Sequence, residues 1–143
     1  MRHNLILRVV SKFLIPLIFL FALYVQFHGD FGPGGGFQAG VIFSAALILY
    51  ALVFGVDTAK QIIPPFLLRM LASLGVLIFA GTGVAGLLLG GNYLEYGVLA
   101  STPVAGQHLG ILVIELGVGI TVMSVMLIIF FAFAERGRPE QED

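Results

Sequence analysis

Long apolar runs alternate with short polar connections along most of this chain. A bilayer with a hydrocarbon core about 30 Å thick is crossed by about 20 apolar residues in a helix. Four runs are long enough, at roughly 9–27, 37–55, 66–89 and 107–133. The runs are continuously apolar rather than alternating, which argues against a transmembrane β-barrel. The pattern therefore predicts an all-α, polytopic membrane protein with four transmembrane helices.

The composition agrees with a membrane protein. Hydrophobic residues make up 59% of the 143 residues and charged residues only 10%, whereas soluble domains carry about 25% charged residues. We expect a single membrane domain over 1–143, with a disordered tail at about 135–143. No small-residue cleavage site follows the first run, which favours a retained helix over a signal peptide.

Residue usage argues against several kinds of chemistry. Cysteine is absent, so the chain has no thiolate nucleophile, disulfide framework or thiolate metal site. The net charge is −1 and no basic stretch indicates nucleic acid. We therefore expect no thiolate metal site and no nucleic-acid partner. We also expect no other metal, no cofactor and no enzymatic activity.

The positive charges predict how the helices are oriented. The Lys and Arg residues are Arg2, Arg8, Lys12, Lys60, Arg69, Arg136 and Arg138. All seven fall on one side of the four predicted helices, and the connections at 28–36 and 91–106 contain none. Because Lys and Arg concentrate on the cytoplasmic side, we expect both termini in the cytoplasm and these two connections outside.

Glu115 is the charged residue inside the fourth run, with Ile114 and Leu116 beside it. It lies about 12 Å along the predicted helix, which places it close to the membrane midplane. A charged side chain there costs at least about 2.5 kcal/mol and must face protein or water. Because burial disfavours the charged form, such a group could exchange protons near neutral pH. Glu115 is thus a candidate for an ion or proton path, or else a protonated hydrogen-bonding contact between helices or subunits.

Three other ionisable residues are candidates for the same path. His108 lies seven positions before Glu115, on the same helix face and about 10.5 Å away along the axis, although a histidine there could equally cap the helix end. His28 and Asp30 precede a glycine run. Asp30 either accepts hydrogen bonds from the N–H groups at the start of the second helix or takes part in cation or proton entry.

The stretch HGDFGPGGGFQAG, 28–40, holds the most flexible backbone in the chain. Pro33 ends any preceding helix, and Phe37 anchors the start of the next one. Between them, Gly34, Gly35 and Gly36 permit positive φ and close approach of another helix. No Lys follows, so this is not a phosphate-binding loop. Glycine pairs four residues apart recur at 36/40, 86/90 and 106/110, which favours tight packing in a larger complex.

Two segments carry a resemblance to a known family. GDFGPGGGFQAGVIFSAALILYALVFG (29–55) and GQHLGILVIELGVGITV (106–122) resemble the MnhB family, one of the small-subunit families of the Mrp-type multi-subunit cation/proton antiporters. The similarity extends over nearly the whole chain, and the core from Pro33 to Phe37 is its most specific part.

The resemblance implies a small membrane subunit of a complex that exchanges Na⁺, or another monovalent cation, for protons across a prokaryotic cell (inner) membrane. We expect this chain to support assembly of the complex and to line or flank a cation/proton path. The implied partners are the large A and D type subunits, the small C, E, F and G type subunits, Na⁺, H⁺ and the lipid bilayer.

One position departs from the family's pattern, which reads Gly-His-Asn-x-Pro-Gly-Gly-Gly-Phe. Here Asp30 stands at the position of that histidine, and His28 lies two residues earlier. A proton relay through this position would have to use Asp30 or the displaced His28.

Other functions are compatible with the same residues. The chain could be a purely structural scaffold, or a homologous structural subunit of a hydrogenase-type or other redox-driven ion-pumping complex. A free-standing four-helix multidrug exporter is disfavoured, because such proteins usually carry their membrane glutamate in the first helix.

Overall fold

A computed structural model describes residues 5–29 and 32–136 of the chain. Within these ranges the α-helices are α1 Leu5–His28, α2 Gly36–Phe54, α3 Val56–Ile62, α4 Pro65–Leu88 and α5 Pro103–Arg136, with a single 3₁₀ turn at Tyr96–Val98. All except α3 are long and apolar enough to cross a membrane. The predicted all-α fold with four transmembrane helices is confirmed, while the orientation of the termini stays a prediction.

The short helix α3 lies in what the sequence suggested was a simple connection. Gly55, with φ 110°, separates α3 from α2. Asp57 in its first turn and Lys60 in its last turn complement the helix dipole. Pro64 is the N-cap of α4 and Pro65 its first residue, a position where the missing N–H costs no hydrogen bond.

Two of the long helices extend beyond the apolar runs that predicted them. α1 begins at Leu5 rather than near 9, and Pro16 lies inside it without ending it. α5 has 34 residues, a length of about 51 Å that exceeds the hydrocarbon core. It includes residues 135 and 136, the start of the predicted tail, and the rest of that tail lies outside the described residues.

The four long helices form a row in the order α1, α2, α5, α4. Two glycines of α2 fix its position on α5, since Gly36 lies against Glu115 and Gly40 against Gly119. The spacing of these contacts shows that α2 and α5 run in the same direction. It also shows that α2 begins level with Glu115, twelve residues after the start of α5.

At the end of the long helices beside α3, away from Glu115, side chains from α2, α3, α4 and α5 make the main apolar core. This α3-end core consists of Ala51, Ala59, Leu68, Leu127 and Phe131. Most other large apolar side chains point away from the chain, including Phe13 at 75% exposure and Leu88 at 82%. These outward faces suit contact with lipid or with neighbouring subunits.

The glycine pairs do not all join helices. A Cβ on Gly75 would lie 2.5 Å from the carbonyl oxygen of Gly117, so α4 and α5 pack backbone to backbone. The pair at 86/90 does not join two helices of this chain. Gly86 lies against Asn92 of the following connection, and no atom of the described residues lies within 4 Å of the Cβ position of Gly90. Within this chain that pair packs no helix against another, and its packing with a partner subunit stays a prediction.

Candidate functional site

The end of α1, the start of α2 and Glu115 of α5 meet in a glycine junction, formed by Gly29, Gly35, Gly36 and Glu115. A Cβ on Gly29 would lie 2.6 Å from Oε1 and 2.8 Å from Oε2 of Glu115. A Cβ on Gly35 would lie 2.9 Å from the same Oε1, and one on Gly36 would overlap the backbone oxygen of Glu115. Glu115 thus occupies space that any other residue at these positions would fill.

The connection between α1 and α2 is folded back onto the last turn of α1. The Gly35 N–H donates a hydrogen bond of 3.1 Å to the Val25 carbonyl, and the Gly32 N–H donates one of 3.1 Å to the His28 carbonyl. Gly35 has φ 117°, a conformation that strongly favours glycine. These backbone hydrogen bonds therefore hold in place the glycine backbone that faces the Glu115 carboxylate.

The Glu115 carboxylate lies beside the N-terminus of α2, where Gly35 is the N-cap and supplies no side-chain hydrogen bond. The first N–H groups of a helix have no acceptor within the helix, and this end of the helix dipole is positive. Glu115 therefore sits where a capping acid would sit. It is level with the α1–α2 connection, at one end of that helix pair, and its depth in the membrane stays a prediction.

Gln26 adds a second polar group at the same place. It lies in the last turns of α1 at 4% exposure, and its Oε1 is 2.7 Å from where a Cβ on Gly119 would lie. Gly119 follows Glu115 by one turn on the same face of α5. The Gln26 Nε2 is buried and has no hydrogen-bond partner among the described residues. Gln26 therefore places a buried polar group one helical turn from Glu115 along α5.

The other predicted path residues have different positions. His28 is half-buried, stacks on Tyr24 with ring centroids 5.1 Å apart, and has its Nε2 3.1 Å from the Cβ position of Gly32, so it lies at the rim of the junction. His108 is exposed and lies about 10.5 Å from Glu115 along the axis of α5, toward the start of that helix. Asp30 lies outside the described residues.

Phe37 does not anchor the start of α2 within this chain, because its side chain is 61% exposed. Pro33 is exposed as well, directly before the glycines of the junction. Of the glycines between them, Gly35 and Gly36 lie against Glu115, whereas Gly34 lies against Val25 and Gly29. Pro33 and Phe37 therefore form an outward rim around a tightly packed glycine core.

Sequence reasoning missed one residue of the junction, Gly29, and two neighbours of it, Gln26 and Gly119. The signal for Gln26 was available, since an amide at the end of an apolar run needs a polar partner. The roles of Gly29 and Gly119 depend on which helix faces them. Among the described residues, no three His, Cys, Asp or Glu side chains cluster as metal ligands would.

Four helices long and apolar enough to cross a membrane lie side by side, with the buried Gln26 amide and the Glu115 carboxylate between them. These features define a small polytopic membrane protein with a polar interhelical junction. A family described as a domain related to the MnhB subunit of Na⁺/H⁺ antiporters matches residues 6–128, which include the whole junction. The chain therefore belongs to the MnhB family of Na⁺/H⁺ antiporter subunits.

Curated relatives agree with this family. Proteins named "Putative antiporter subunit mnhB2" from Staphylococcus aureus strains Newman, JH1 and COL are each 34% identical to this chain over 131 residues. Each alignment covers 85% of this chain and 92% of the relative. The similarity thus extends over nearly the full length of both proteins.

Proposed function

We propose that this chain is a subunit of a multi-subunit Na⁺/H⁺ antiporter in a prokaryotic cell membrane, where its glycine junction lines or flanks the cation/proton path. Glu115 would be the acidic group of that path. The family match favours the antiporter over a redox-driven pump, and the chain's own role is in transport and assembly rather than in enzymatic catalysis.

The observation that carries the proposal is the position of the Glu115 carboxylate against Gly29 and Gly35. Ionisable groups within membrane-spanning helices are costly and usually functional. The side of this carboxylate that lies next to the junction glycines faces backbone and the N-terminus of α2. Such a helix end stabilises a negative charge without neutralising it, so the carboxylate can still attract a cation.

Gln26 and His28 extend the polar surface of the junction to α1. The buried Gln26 amide can orient a water or a partly hydrated cation beside the face of α5 that carries Glu115. His28 at the rim offers ring nitrogens that can donate or accept a hydrogen bond. Asp30, which follows His28 by two residues, and His108, two turns from Glu115, are proposed as stations between the junction and the outer side.

The proposal includes an orientation and a set of partners. With the seven Lys and Arg residues in the cytoplasm, both termini are cytoplasmic and the junction opens toward the outer side. The partners are the large A and D type and small C, E, F and G type subunits. The outward rim at Pro33 and Phe37 offers them an apolar contact next to the junction.

The test is Na⁺-dependent proton exchange in vesicles that contain the complex with Glu115→Gln. Because Gln has nearly the same shape but no ionisable proton, we expect assembly to persist on native gels while exchange falls to the level of vesicles without the complex. Glu115→Asp, which keeps the carboxylate but shortens its reach, should retain part of the exchange.

A matched control is Glu95→Gln. Glu95 is also a carboxylate, but it accepts hydrogen bonds from the backbone N–H and the side-chain amide of Asn92, at 2.6 and 3.0 Å, in the connection before α5. Exchange should survive this change. Wild-type exchange by Glu115→Gln vesicles would exclude the path role and leave the junction a structural contact.

A further inference from the structure

A groove lies at the α3 end of the molecule, far from the glycine junction. It has a volume of about 450 Å³ and lies between α1, the last turns of α2, and α3. This volume falls within the range typical of small-molecule sites. Arg8 and Lys12 line it from α1, with Tyr50 and Phe54 opposite on α2 and Thr58 on α3.

The two cations in the groove differ from the neighbouring Lys60. Lys60 pairs with Glu135 and lies over the ring of Phe131. Among the described residues that line the groove beside Arg8 and Lys12, none is acidic. Since they are four residues apart, both cations project from one face of α1. The groove therefore presents two positive charges that an anion would complement.

An apolar cavity adjoins the groove. It measures about 250 Å³ and extends beneath α3 toward Phe19, Leu47 and Leu127. Ile15 and Tyr50 border both spaces, so a molecule with an anionic head and an apolar tail could occupy the two together. The Arg8 guanidinium lies 5.4 Å from the centre of the Phe54 ring, which orients it at the mouth of the groove.

We propose that this groove binds an anionic phospholipid, with the phosphate between Arg8 and Lys12 and part of an acyl chain in the adjoining cavity. The hydroxyl groups of Tyr50 and Thr58 add hydrogen-bond donors around the phosphate. The groove lies at the ends of α1 and α2, where lipid headgroups meet membrane-spanning helices, and basic pockets between such helices bind anionic headgroups. The proposal is independent of the role of Glu115.

The test is native mass spectrometry of the full chain in neutral detergent, with dioleoyl-phosphatidylglycerol and dioleoyl-phosphatidylcholine. The wild type should retain phosphatidylglycerol preferentially. Arg8→Gln with Lys12→Gln should weaken that binding about ten-fold and abolish the preference. Lys60→Gln, which removes a paired charge at the same end, should leave the preference intact. Arg8→Lys with Lys12→Arg should keep it as well, which separates charge from misfolding.

Two further arms distinguish the lipid from other occupants. Glycerol phosphate should not displace the lipid, because it cannot fill the apolar cavity. In the assembled complex, phosphatidylglycerol with a photoreactive acyl chain should label this chain near Ile15 and Phe19. Equal retention of the two lipids, unchanged binding by the double Gln variant, displacement by glycerol phosphate, or cross-linking of Thr58→Cys to another subunit would each overturn the proposal.

Discussion

Two regions at opposite ends of the long helices, the α3-end core and the glycine junction, are held together by different kinds of contact. At the α3-end core, buried side chains such as Leu68 and Leu127 fill the space between helices. At the glycine junction, backbone packs against backbone, and the space that side chains would take holds Glu115 and the amide of Gln26. The difference indicates that the first end supplies stability, while the second positions polar groups.

The largest stability effect is expected at the α3-end core. Leu127 is 1% exposed, so Leu127→Ala leaves a cavity and should lower the free energy of unfolding by about 2–5 kcal/mol. Thermal unfolding in detergent, followed by circular dichroism, measures this loss. The exposed Leu88→Ala should change it little. Equal effects of the two changes would mean that this end is not the stabilising one.

A smaller loss is expected at the glycine junction. Gly36→Ala puts a methyl group onto the backbone of Glu115, and such overpacking costs about 1–3 kcal/mol. Gly81 has no atom within 4 Å of its Cβ position, so Gly81→Ala should instead stabilise its helix by up to about 1 kcal/mol. The same unfolding measurement compares them. A harmless Gly36→Ala would show that α2 does not pack on Glu115.

Gln26→Leu separates stability from function at the same end. The Gln26 Nε2 is buried and has no hydrogen-bond partner in the described part of the chain. Replacing this amide by an apolar side chain should leave the free energy of unfolding unchanged or raise it by about 1 kcal/mol, while Na⁺-dependent exchange decreases. A loss of stability together with normal exchange would show that the amide makes a structural hydrogen bond and has no part in the path.

The smallest effect is expected at the ion pair of the α3 end. Lys60 pairs with Glu135, whose side chain is 59% exposed. The Lys60 side chain is 18% exposed, and because Glu135 remains open to solvent we expect the pair to contribute less than about 1 kcal/mol. Lys60→Gln should lower the free energy of unfolding by no more than that, and the difference should shrink at high salt. A larger, salt-insensitive loss would mean that the pair is part of the core.

The length of the apolar runs was enough to predict four membrane-spanning helices, because the thickness of the bilayer's hydrocarbon core fixes how many apolar residues a crossing helix needs. It was not enough to predict α3, where Asp57 and Lys60 stabilise a helix too short to show a clear apolar pattern. Nor did it show that α5 begins at Pro103, within a stretch that contains several polar residues.

The sequence showed the separate parts of the candidate site, but it did not show that they contact each other. Glu115 and the glycine run stood out as a lone carboxylate and a helix-breaking stretch. Their contact depends on α2 starting twelve residues along α5, an offset set by packing between helices distant in sequence. For the same reason His108, which shares a helix with Glu115, was easier to propose than Gln26.

The most direct test of the central claim is the NMR signal of the Glu115 carboxyl carbon in the reconstituted, ¹³C-labelled complex, assigned by its disappearance in Glu115→Gln. The account predicts cross-peaks to the α-carbons of Gly29 and Gly35, and a change in its chemical shift when Na⁺ replaces choline or when pH is varied. A signal without those contacts, and indifferent to both Na⁺ and pH, would contradict it.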